Sequence, residues 1–347
     1  MKYYSNEIVF RGHPDKVCDQ ISGALLDAYL KGDRNTRAGI EVVGGKNKIF
    51  ITGEVTSSAR VNVEEVVRRV LSDVGYHYTP YKIINNIGTQ SEDIAPKVNA
   101  GGAGDNGMMF GYACNDTKEL LPTAMVILQR LSKAYDELRR ELDDLLPDGK
   151  AQITGEYDDE FRLIKIKTFT ICYQNKEVNR KLTDYIVINL AKNICNEYNI
   201  EVEKFLINPS GRFLLGGFDA DAGVTGRKIV VDTYQSFANV GGGSLNGKDP
   251  SKVDLSGAYK ARDIAVRFLK FFNLRWCEVQ LSYAIGVAQP TSIYINSDKG
   301  YLDPYLLSND KECEPKNIIS DLRLLDISYE EQAKFGHFKD VNLTYND

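Results

Sequence analysis

The sequence predicts an α+β protein. Stretches with apolar residues at helical spacing occur along the chain, and segments rich in β-branched and aromatic residues lie between them. The strands do not alternate regularly with single helices, as they would in a parallel βαβ sheet. At 347 residues the chain exceeds what one hydrophobic core usually organises, so two or three subdomains or one large composite unit are expected.

The first predicted helix spans 14–30, and Pro14 suits its first turn. Apolar residues recur in it at helical spacing, namely Val17, Ile21, Leu25 and Ala28. Two strands follow at 39–43 and 48–55. Two glycines at 44–45 predict a hairpin turn between these strands.

The remaining elements repeat this mixture of helices and strands. Further helices are predicted at 63–74, 118–146, 181–198 and 252–272. Strand-like sequence is found at 151–173, 228–231 and 276–296. Apolar positions such as Ile127, Leu131 and Leu138 are expected to face the core.

Composition narrows the classes of partner. A formal net charge of -5 argues against broad electrostatic binding of nucleic acid or of an acidic membrane. The start lacks a signal-type apolar stretch, and later apolar runs are too short to span a bilayer. The six cysteines form no CxxC pair and no zinc-like spacing with histidine, which is typical of reduced packing residues. We expect a cytoplasmic protein with small-molecule partners and without nucleic acid or membrane.

Two glycine-rich segments match nucleotide-binding motifs only in part. Residues 102–107 satisfy GxGxxG, but the residues after them are strand-like, whereas a dinucleotide motif opens a helix. Residues 242–248 match most of a P-loop, but Asp249 stands where Ser or Thr would coordinate magnesium. A looser phosphate-contacting loop remains open, because backbone amides and a lysine bind anions without a complete P-loop.

Three side chains suited to acid–base and charge chemistry lie together at the start of the first predicted helix. They are His13, Asp15 and Lys16, in the segment Gly-His-Pro-Asp-Lys. The start of a helix has free backbone N–H donors that suit phosphate. In the alternative interpretation this is a solvated helix start where Asp15 only favours the helix dipole.

Two later loops, at 216–228 and 241–254, combine glycines with cations and carboxylates. A triphosphate needs several cationic contacts, while Mg²⁺ needs hard oxygen ligands and often keeps water and phosphate oxygens. The combination therefore favours a polyphosphate site with magnesium. Separate solvated loops would share the same composition.

Taken in order, these motifs resemble those of S-adenosylmethionine synthetases. The matching segments are GHPDK at 12–16, GDNGMMFG at 104–111, NPSGRF at 208–213, TGRK at 225–228, KDPSKVD at 248–254 and SYAIGV at 282–287. The resemblance runs from near the N-terminus to about Val287 and continues more weakly to the end.

The resemblance implies both a fold and an activity. The implied fold has three related α/β subdomains in a pseudo-threefold arrangement, with boundaries at 1–98, 99–214 and 215–347. The implied enzyme is an ATP:methionine S-adenosyltransferase with ATP and L-methionine as substrates. Methionine sulfur attacks the ribose C5′ of ATP, and the departing triphosphate is cleaved to pyrophosphate and phosphate.

The resemblance also assigns roles to individual residues. His13 is expected to donate toward the departing oxygen, Asp148 to contact the nucleoside and Phe213 to stack on adenine. Expected contacts to ATP phosphates come from Lys16, Lys150, Arg227, Lys228, Lys248 and Lys252, and Arg212 is a further expected ATP-binding residue. The expected catalytic residues are His13, Lys16, Lys150, Arg227 and Lys248. Expected positions on the methionine side are Glu54, Gln90, Asp105, Asp221 and Ile285.

Metal ions enter through the same resemblance. Mg²⁺ is the expected cofactor, with Asp15 and Asp254 as ligands, and K⁺ is expected beside Glu41. Two departures bear on this expectation. Ser244-Leu245-Asn246 replaces the family's Ala-Phe-Ser, which leaves potassium activation open, and the loop between Gln90 and Gly104 is shorter than usual.

Active sites of the family are shared between facing subunits. The resemblance therefore implies a homodimer with shared active sites and leaves a dimer of dimers open. After Asn296 the sequence is compressed and divergent, but Phe-Gly-His-Phe at 335–338 is similar to the family's terminal motif. His337 is expected to be structural.

Two other function classes remain as alternatives. A non-catalytic nucleotide-binding homologue would bind ATP without making product, and the shorter loop motivates it. A phosphate-loop NTPase would release ADP without methionine. The retained His13, Asp15, Lys150 and Arg227 count against the first alternative, and the incomplete P-loop counts against the second.

Overall fold

The computed structural model describes residues 2–76, 80–89, 101–176 and 178–339. Its helices are, in chain order, α1 (Pro14–Gly32), α2 (Val63–Val74), α3 (Thr123–Leu138), α4 (Arg180–Glu197), α5 (Ile229–Asp232), α6 (Val253–Phe272), α7 (Pro315–Asp321) and α8 (Tyr329–Phe335). Its strands are β1 (Lys2–Val9), β2 (Arg37–Gly45), β3 (Lys48–Thr56), β4 (Lys82–Gly88), β5 (Gly107–Cys114), β6 (Leu145–Tyr157), β7 (Leu163–Asn175), β8 (Glu201–Val202), β9 (Phe205–Ile207), β10 (Gly223–Val224), β11 (Trp276–Tyr283), β12 (Ser292–Ser297) and β13 (Gly300–Leu302). The predicted α+β class is confirmed.

The strands form three sheets. The first has the order β1-β6-β7-β8 with β9 also paired to β7, the second β10-β2-β3-β4, and the third β13-β12-β11-β5. Each sheet takes in a strand from a distant part of the chain, because β1 pairs with β6, β10 with β2 and β5 with β11. The three units are therefore interlaced, and none of the sheets is built from one contiguous stretch of sequence.

Each sheet is covered by helices on one face. α3 packs on β1 and β6, α1 on β2 and β10, and α6 on β5 and β11. Burial alternates along β2 and β11, so one face of each strand points into the core and the other is only partly covered. The partly covered faces carry Glu41 on β2 and Glu54 on β3.

Helix α1 is buried on most of its sides, although the sequence predicts an amphipathic helix. Asp15, Lys16, Asp19 and Gln20 are all buried beside the apolar residues of the same helix. Buried polar groups must find partners inside the protein, because each unpaired one is costly. The start of α1 is therefore a natural place for a charged network.

Three predicted elements differ from the structure. The hairpin turn lies at Lys46-Asn47 instead of 44–45, and Asn47 has φ 35° there. The long helix predicted at 118–146 is shorter, because α3 begins after Pro122 and ends before β6. The strand predicted at 228–231 is wrong. Those residues form the short helix α5, in which the Asp232 N–H donates to the Lys228 carbonyl at 2.8 Å.

Two expectations from composition can be compared with the structure. The six cysteines are all free, and five of them are buried, in agreement with a packing role. Within the described ranges, no helix combines the length and the apolar character needed to cross a membrane.

Candidate active site

His13 sits at the N-cap of α1 and is held as a neutral imidazole. Its Nδ1 accepts a hydrogen bond from the Asp15 backbone N–H at 3.2 Å. Burial first, and the nearby Lys228 ammonium second, lower the pKa of His13 to about 3. Because Nδ1 is the acceptor, the ring proton lies on Nε2. The free end of the ring is therefore a hydrogen-bond donor.

Asp15 gathers two cations and one backbone donor around a buried carboxylate. Its Oδ1 accepts from the Val224 N–H at 2.9 Å and lies 3.3 Å from Arg227 Nε, and its Oδ2 pairs with Lys228 Nζ. Burial by itself raises the pKa of Asp15, but the bonds from Lys228 and Val224 outweigh it and lower the pKa. The carboxylate thus fixes the TGRK loop to the start of α1.

Asp148 and Lys150 lie on β6, and Asp148 contacts the beginning of the 216–228 loop. The Asp148 carboxylate accepts from the Gly217 N–H at 2.8 Å, and burial raises its pKa to about 6. Lys150 is half-exposed, and its ammonium lies 3.9 Å from a Glu7 oxygen. Asp221 is exposed and acts electrostatically on both His13 and Asp148. We call these seven residues the helix-start group: His13, Asp15, Asp148, Lys150, Asp221, Arg227 and Lys228.

A second set of predicted residues is held together elsewhere in the chain. Lys248 Nζ pairs with the Asp254 carboxylate, and Lys252 Nζ donates to Glu54 Oε1 at 3.0 Å. Glu41 is partly buried, and burial raises its pKa while Lys248 and Lys252 oppose the rise. These residues meet where the segment before α6 lies against β2 and β3.

Asp105 and Ile285 lie at one end of the third sheet, next to Asp254. The Ile285 N–H donates to Asn106 Oδ1 at 2.7 Å, so the loop after β11 is joined to the turn that holds Asp105. A Cβ placed on Gly107 would lie 3.5 Å from Asp254 Oδ1. We call these seven residues the sheet-edge group: Glu41, Glu54, Asp105, Lys248, Lys252, Asp254 and Ile285.

The two groups are internally paired but separate. Among the described residues, no ion pair or hydrogen bond joins a member of the helix-start group to a member of the sheet-edge group. Arg212 is exposed and Phe213 half-buried on the loop after β9, which leads to Gly216 beside Asp148. Gln90 lies outside the described residues.

Lys16 is held by carboxylates inside the protein. Its Nζ lies 3.0 Å from Asp19 and 2.5 Å from Asp232, and the side chain is 1% exposed. The two carboxylates raise the pKa of Lys16 against the effect of burial, so it stays charged. A direct phosphate contact would require the ammonium to leave both of these partners.

A chain of hydrogen bonds extends from Lys16 to the C-terminal segment. Asp232 Oδ2 accepts from Asn246 Nδ2 at 2.7 Å, and Asn246 Oδ1 lies 2.9 Å from His337 Nε2. His337 Nδ1 then lies 3.0 Å from the Tyr259 hydroxyl. Burial lowers the pKa of His337 to about 3, so the ring is neutral and donates from Nε2 to the amide oxygen.

Sequence reasoning missed Asp19 and Asp232 in this network. Asp19 also accepts from the Gly226 N–H at 2.9 Å, so it anchors the TGRK loop one turn of α1 beyond Asp15. The i, i+4 spacing of Asp15 and Asp19 was visible in the sequence. The role of Asp232 was hidden, because its segment was taken for a strand.

Asp249 explains why the P-loop match is incomplete. The residue is fully buried, and its carboxylate accepts from the Ser251 N–H at 2.9 Å and from the Ala38 N–H at 2.8 Å. It therefore ties the 241–254 loop to β2. The GxGxxG segment is followed by strand β5, so it lacks the helix of a dinucleotide motif.

Lysines and arginines paired with carboxylates around a helix start are typical of enzymes that bind nucleotide polyphosphates. Comparison with known proteins gives the particular family. Three family models match the chain, for the N-terminal domain (residues 1–93), the central domain (100–213) and the C-terminal domain (215–347) of S-adenosylmethionine synthetase. An S-adenosylmethionine synthase of Mycoplasmopsis synoviae (strain 53) is 40% identical over 97% of this chain and 92% of its own length. The chain belongs to the S-adenosylmethionine synthetase family, and this membership assigns it methionine adenosyltransferase activity.

Proposed function

We propose that the chain forms S-adenosylmethionine from ATP and L-methionine, with His13 and the cations of the helix-start group acting on the departing triphosphate. The observation that carries the proposal is the neutral His13 at the start of α1, whose Nδ1 is already bonded to backbone. Its Nε2–H is the donor that an oxygen leaving C5′ would need. Arg227 and Lys228 stand beside it as partners for phosphate oxygens.

The chemistry needs no nucleophile from the protein. Methionine sulfur forms a bond to C5′ as the C5′–O bond breaks, and the electron pair leaves with the triphosphate. The protein therefore has to hold sulfur and carbon in line and stabilise charge on the departing oxygen. Preorganised donors and cations do this, because their cost of orientation is met when the protein folds.

Magnesium fits the residues present. Within the described part of the chain, no three histidine, cysteine or acidic side chains meet as a complete metal cage. Mg²⁺ commonly takes one or two carboxylates and completes its shell with water and substrate phosphates. We propose Asp15 and Asp254 as those carboxylates, and bound Mg²⁺ would neutralise triphosphate charge. The family generally depends on Mg²⁺ and K⁺, and we propose Glu41 as the acid beside K⁺.

We propose that two copies of the chain share each active site. Among the described residues of one chain, no ion pair or hydrogen bond joins the helix-start group to the sheet-edge group. The partly covered faces of the second and third sheets also expose apolar side chains. These are Val43, Phe50, Met108, Tyr294 and Tyr301. A facing subunit would cover them and bring one group opposite the other.

Further parts of the proposal concern methionine, adenine and the remaining lysines. Glu54, Gln90, Asp105, Asp221 and Ile285 are proposed on the methionine side, and Arg212, Phe213 and Asp148 on the nucleoside side. Lys248 and Lys252 are proposed as phosphate contacts, for which they would exchange their present carboxylate partners. The phosphate contact of Lys16 stays a prediction, while its contacts with Asp19 and Asp232 support a role beneath the TGRK loop.

Domain boundaries and location complete the proposal. We propose units at 1–98, 99–214 and 215–347, which the ranges of the three family models support. The unpaired cysteines support a cytoplasmic location.

The direct test is mass-spectrometric detection of S-adenosylmethionine after incubation of the purified protein with Mg-ATP, methionine and potassium. We expect product only when both substrates are present. ATP binding without product would favour a non-catalytic homologue. Release of ADP without methionine would favour an NTPase.

A further inference from the structure

A cavity of about 300 Å³ lies at the far end of the third sheet from the sheet-edge group. Asp105 and Ile285 lie where Gly107 pairs with Tyr283, whereas the cavity lies where Cys114 pairs with Trp276. With a rise of about 3.4 Å per residue, the two ends of β5 are roughly 24 Å apart. No member of either group lines this cavity. Its volume is at the lower end of the range for small-molecule pockets.

Four aromatic rings line the cavity. Tyr112 and Trp276 are stacked with centroids 6.5 Å apart and planes 18° apart, and Phe161 and Phe237 meet edge to face at 6.2 Å. Phe161 has φ 64°, a conformation that a bulky side chain adopts only at a cost. The fold therefore holds a strained aromatic residue, 38% exposed, in the lining of the cavity.

The charged groups around the cavity are not equally paired. Arg162 lies 3.7 Å from a Glu160 oxygen, and Arg275 lies 3.6 Å from Glu160 and 3.5 Å from Asp298. Both guanidiniums thus have carboxylate partners.

Asp116 also lines the cavity, and no lysine or arginine of the described residues lies within 4.0 Å of its carboxylate. Burial raises the pKa of Asp116 to about 6, and the nearby Arg162 guanidinium, the Thr123 backbone N–H and the Cys114 thiol oppose the rise. The cavity lining carries three carboxylates, those of Asp116, Glu160 and Glu278, against the two guanidiniums of Arg162 and Arg275, so its net charge is negative.

We propose that this cavity binds a small organic cation with a methylated onium head, such as a quaternary ammonium ion. The faces of Trp, Tyr and Phe attract cations whose charge is spread over methyl groups. The Asp116 carboxylate supplies the opposite charge at the same place. An anion would have to displace Glu160 from Arg162 and Arg275 and would approach a lining of net negative charge.

Trp276 makes the proposal testable, because it is the single tryptophan of the chain. Choline chloride is titrated into the full-length protein at constant ionic strength while tryptophan fluorescence is followed. The matched neutral probe is 3,3-dimethylbutan-1-ol, which has the same shape without the charge. We expect saturable quenching by choline and at least tenfold weaker binding of the alcohol. Equal binding of both probes, or no saturable change with choline, would overturn the proposal.

Two variants separate the charge from the rings. Asp116→Asn keeps the shape of the side chain and removes its charge, and Phe237→Leu keeps the charge and removes one ring. Each is expected to weaken choline binding at least tenfold. Asp326→Asn, an exposed acid paired with Arg34, is the matched control and should leave binding unchanged. Full choline binding by correctly folded Asp116→Asn or Phe237→Leu protein would also contradict the assignment.

Discussion

The helix-start group and the sheet-edge group use similar side chains but are supported in different ways. In the helix-start group, buried carboxylates hold backbone N–H groups of the 216–228 loop, as Asp15 holds Val224 and Asp148 holds Gly217. In the sheet-edge group, partly exposed lysines pair with partly exposed acids, as Lys252 does with Glu54. Residues of the first kind build the fold and the site together. Residues of the second kind are available to exchange partners.

The largest expected effect is on turnover after His13→Asn. Asparagine can still accept from the Asp15 N–H, so the start of α1 keeps its cap. The donor toward the departing oxygen is lost, which should lower kcat by about 10²- to 10⁴-fold. Steady-state kinetics with S-adenosylmethionine detection, alongside a thermal melt, measures both effects. Full turnover by the folded variant would remove His13 from the mechanism.

The next largest effect is expected on stability after Lys16→Met. The change leaves Asp19 and Asp232 as buried carboxylates without their cation, which typically costs about 3–5 kcal/mol of unfolding free energy. Urea denaturation monitored by circular dichroism measures the loss. Lys31→Met, at an exposed position on the last turn of α1, is the control and should change the free energy of unfolding little. A Lys16→Met protein as stable as that control would show that the network does not support the fold.

Asp148 should make stability depend on pH in the ligand-free protein. Burial raises its folded pKa to about 6, so the protonated form favours folding. The stabilisation of the folded state by protonated Asp148 is present at low pH and is lost as pH rises through about 6. Between pH 4 and pH 8, the free energy of unfolding of the wild type should fall by up to about 3 kcal/mol more than that of Asp148→Asn. Denaturation at a series of pH values tests this, and parallel curves for the two proteins would contradict it.

Lys252→Met should change stability least. Its side chain is 24% exposed and its partner Glu54 is 32% exposed, and such pairs contribute about 0–1 kcal/mol. The same change should lower kcat/KM for ATP, because the proposed phosphate contact is lost. Denaturation and kinetics on one preparation separate the two effects. A large loss of stability would mean that the sheet-edge group supports the fold as the helix-start group does.

Much of the fold class and of the candidate site could be predicted from the sequence, because the motifs that carry them are local. His13 and Asp15 lie within one helix start, and the TGRK and KDPSKVD segments each carry their charges a few residues apart. The α+β class likewise follows from apolar spacing within single elements. Local patterns of this kind do not depend on how the chain crosses itself.

What the sequence did not predict depends on contacts between distant residues. Asp232 meets Lys16 across 216 positions of sequence, and His337 meets Asn246 across 91. The β-branched run before Asp232 was assigned to a strand, because a short apolar run does not distinguish strand from helix. The interlacing of β1, β5 and β10 with distant strands was hidden for the same reason.

The central claim is that the two groups are halves of a site completed by a second chain. The measurement that tests it most directly is complementation between His13→Asn and Lys252→Met subunits, each weakly active alone. The two proteins are mixed, dissociated and reassembled, and S-adenosylmethionine formation is measured. If sites are shared, a mixed dimer contains one site with both changes and one with neither, so activity rises well above that of either variant. If each site lies within one chain, every site in the mixture keeps one defect, and activity that only averages the two variants would contradict the account.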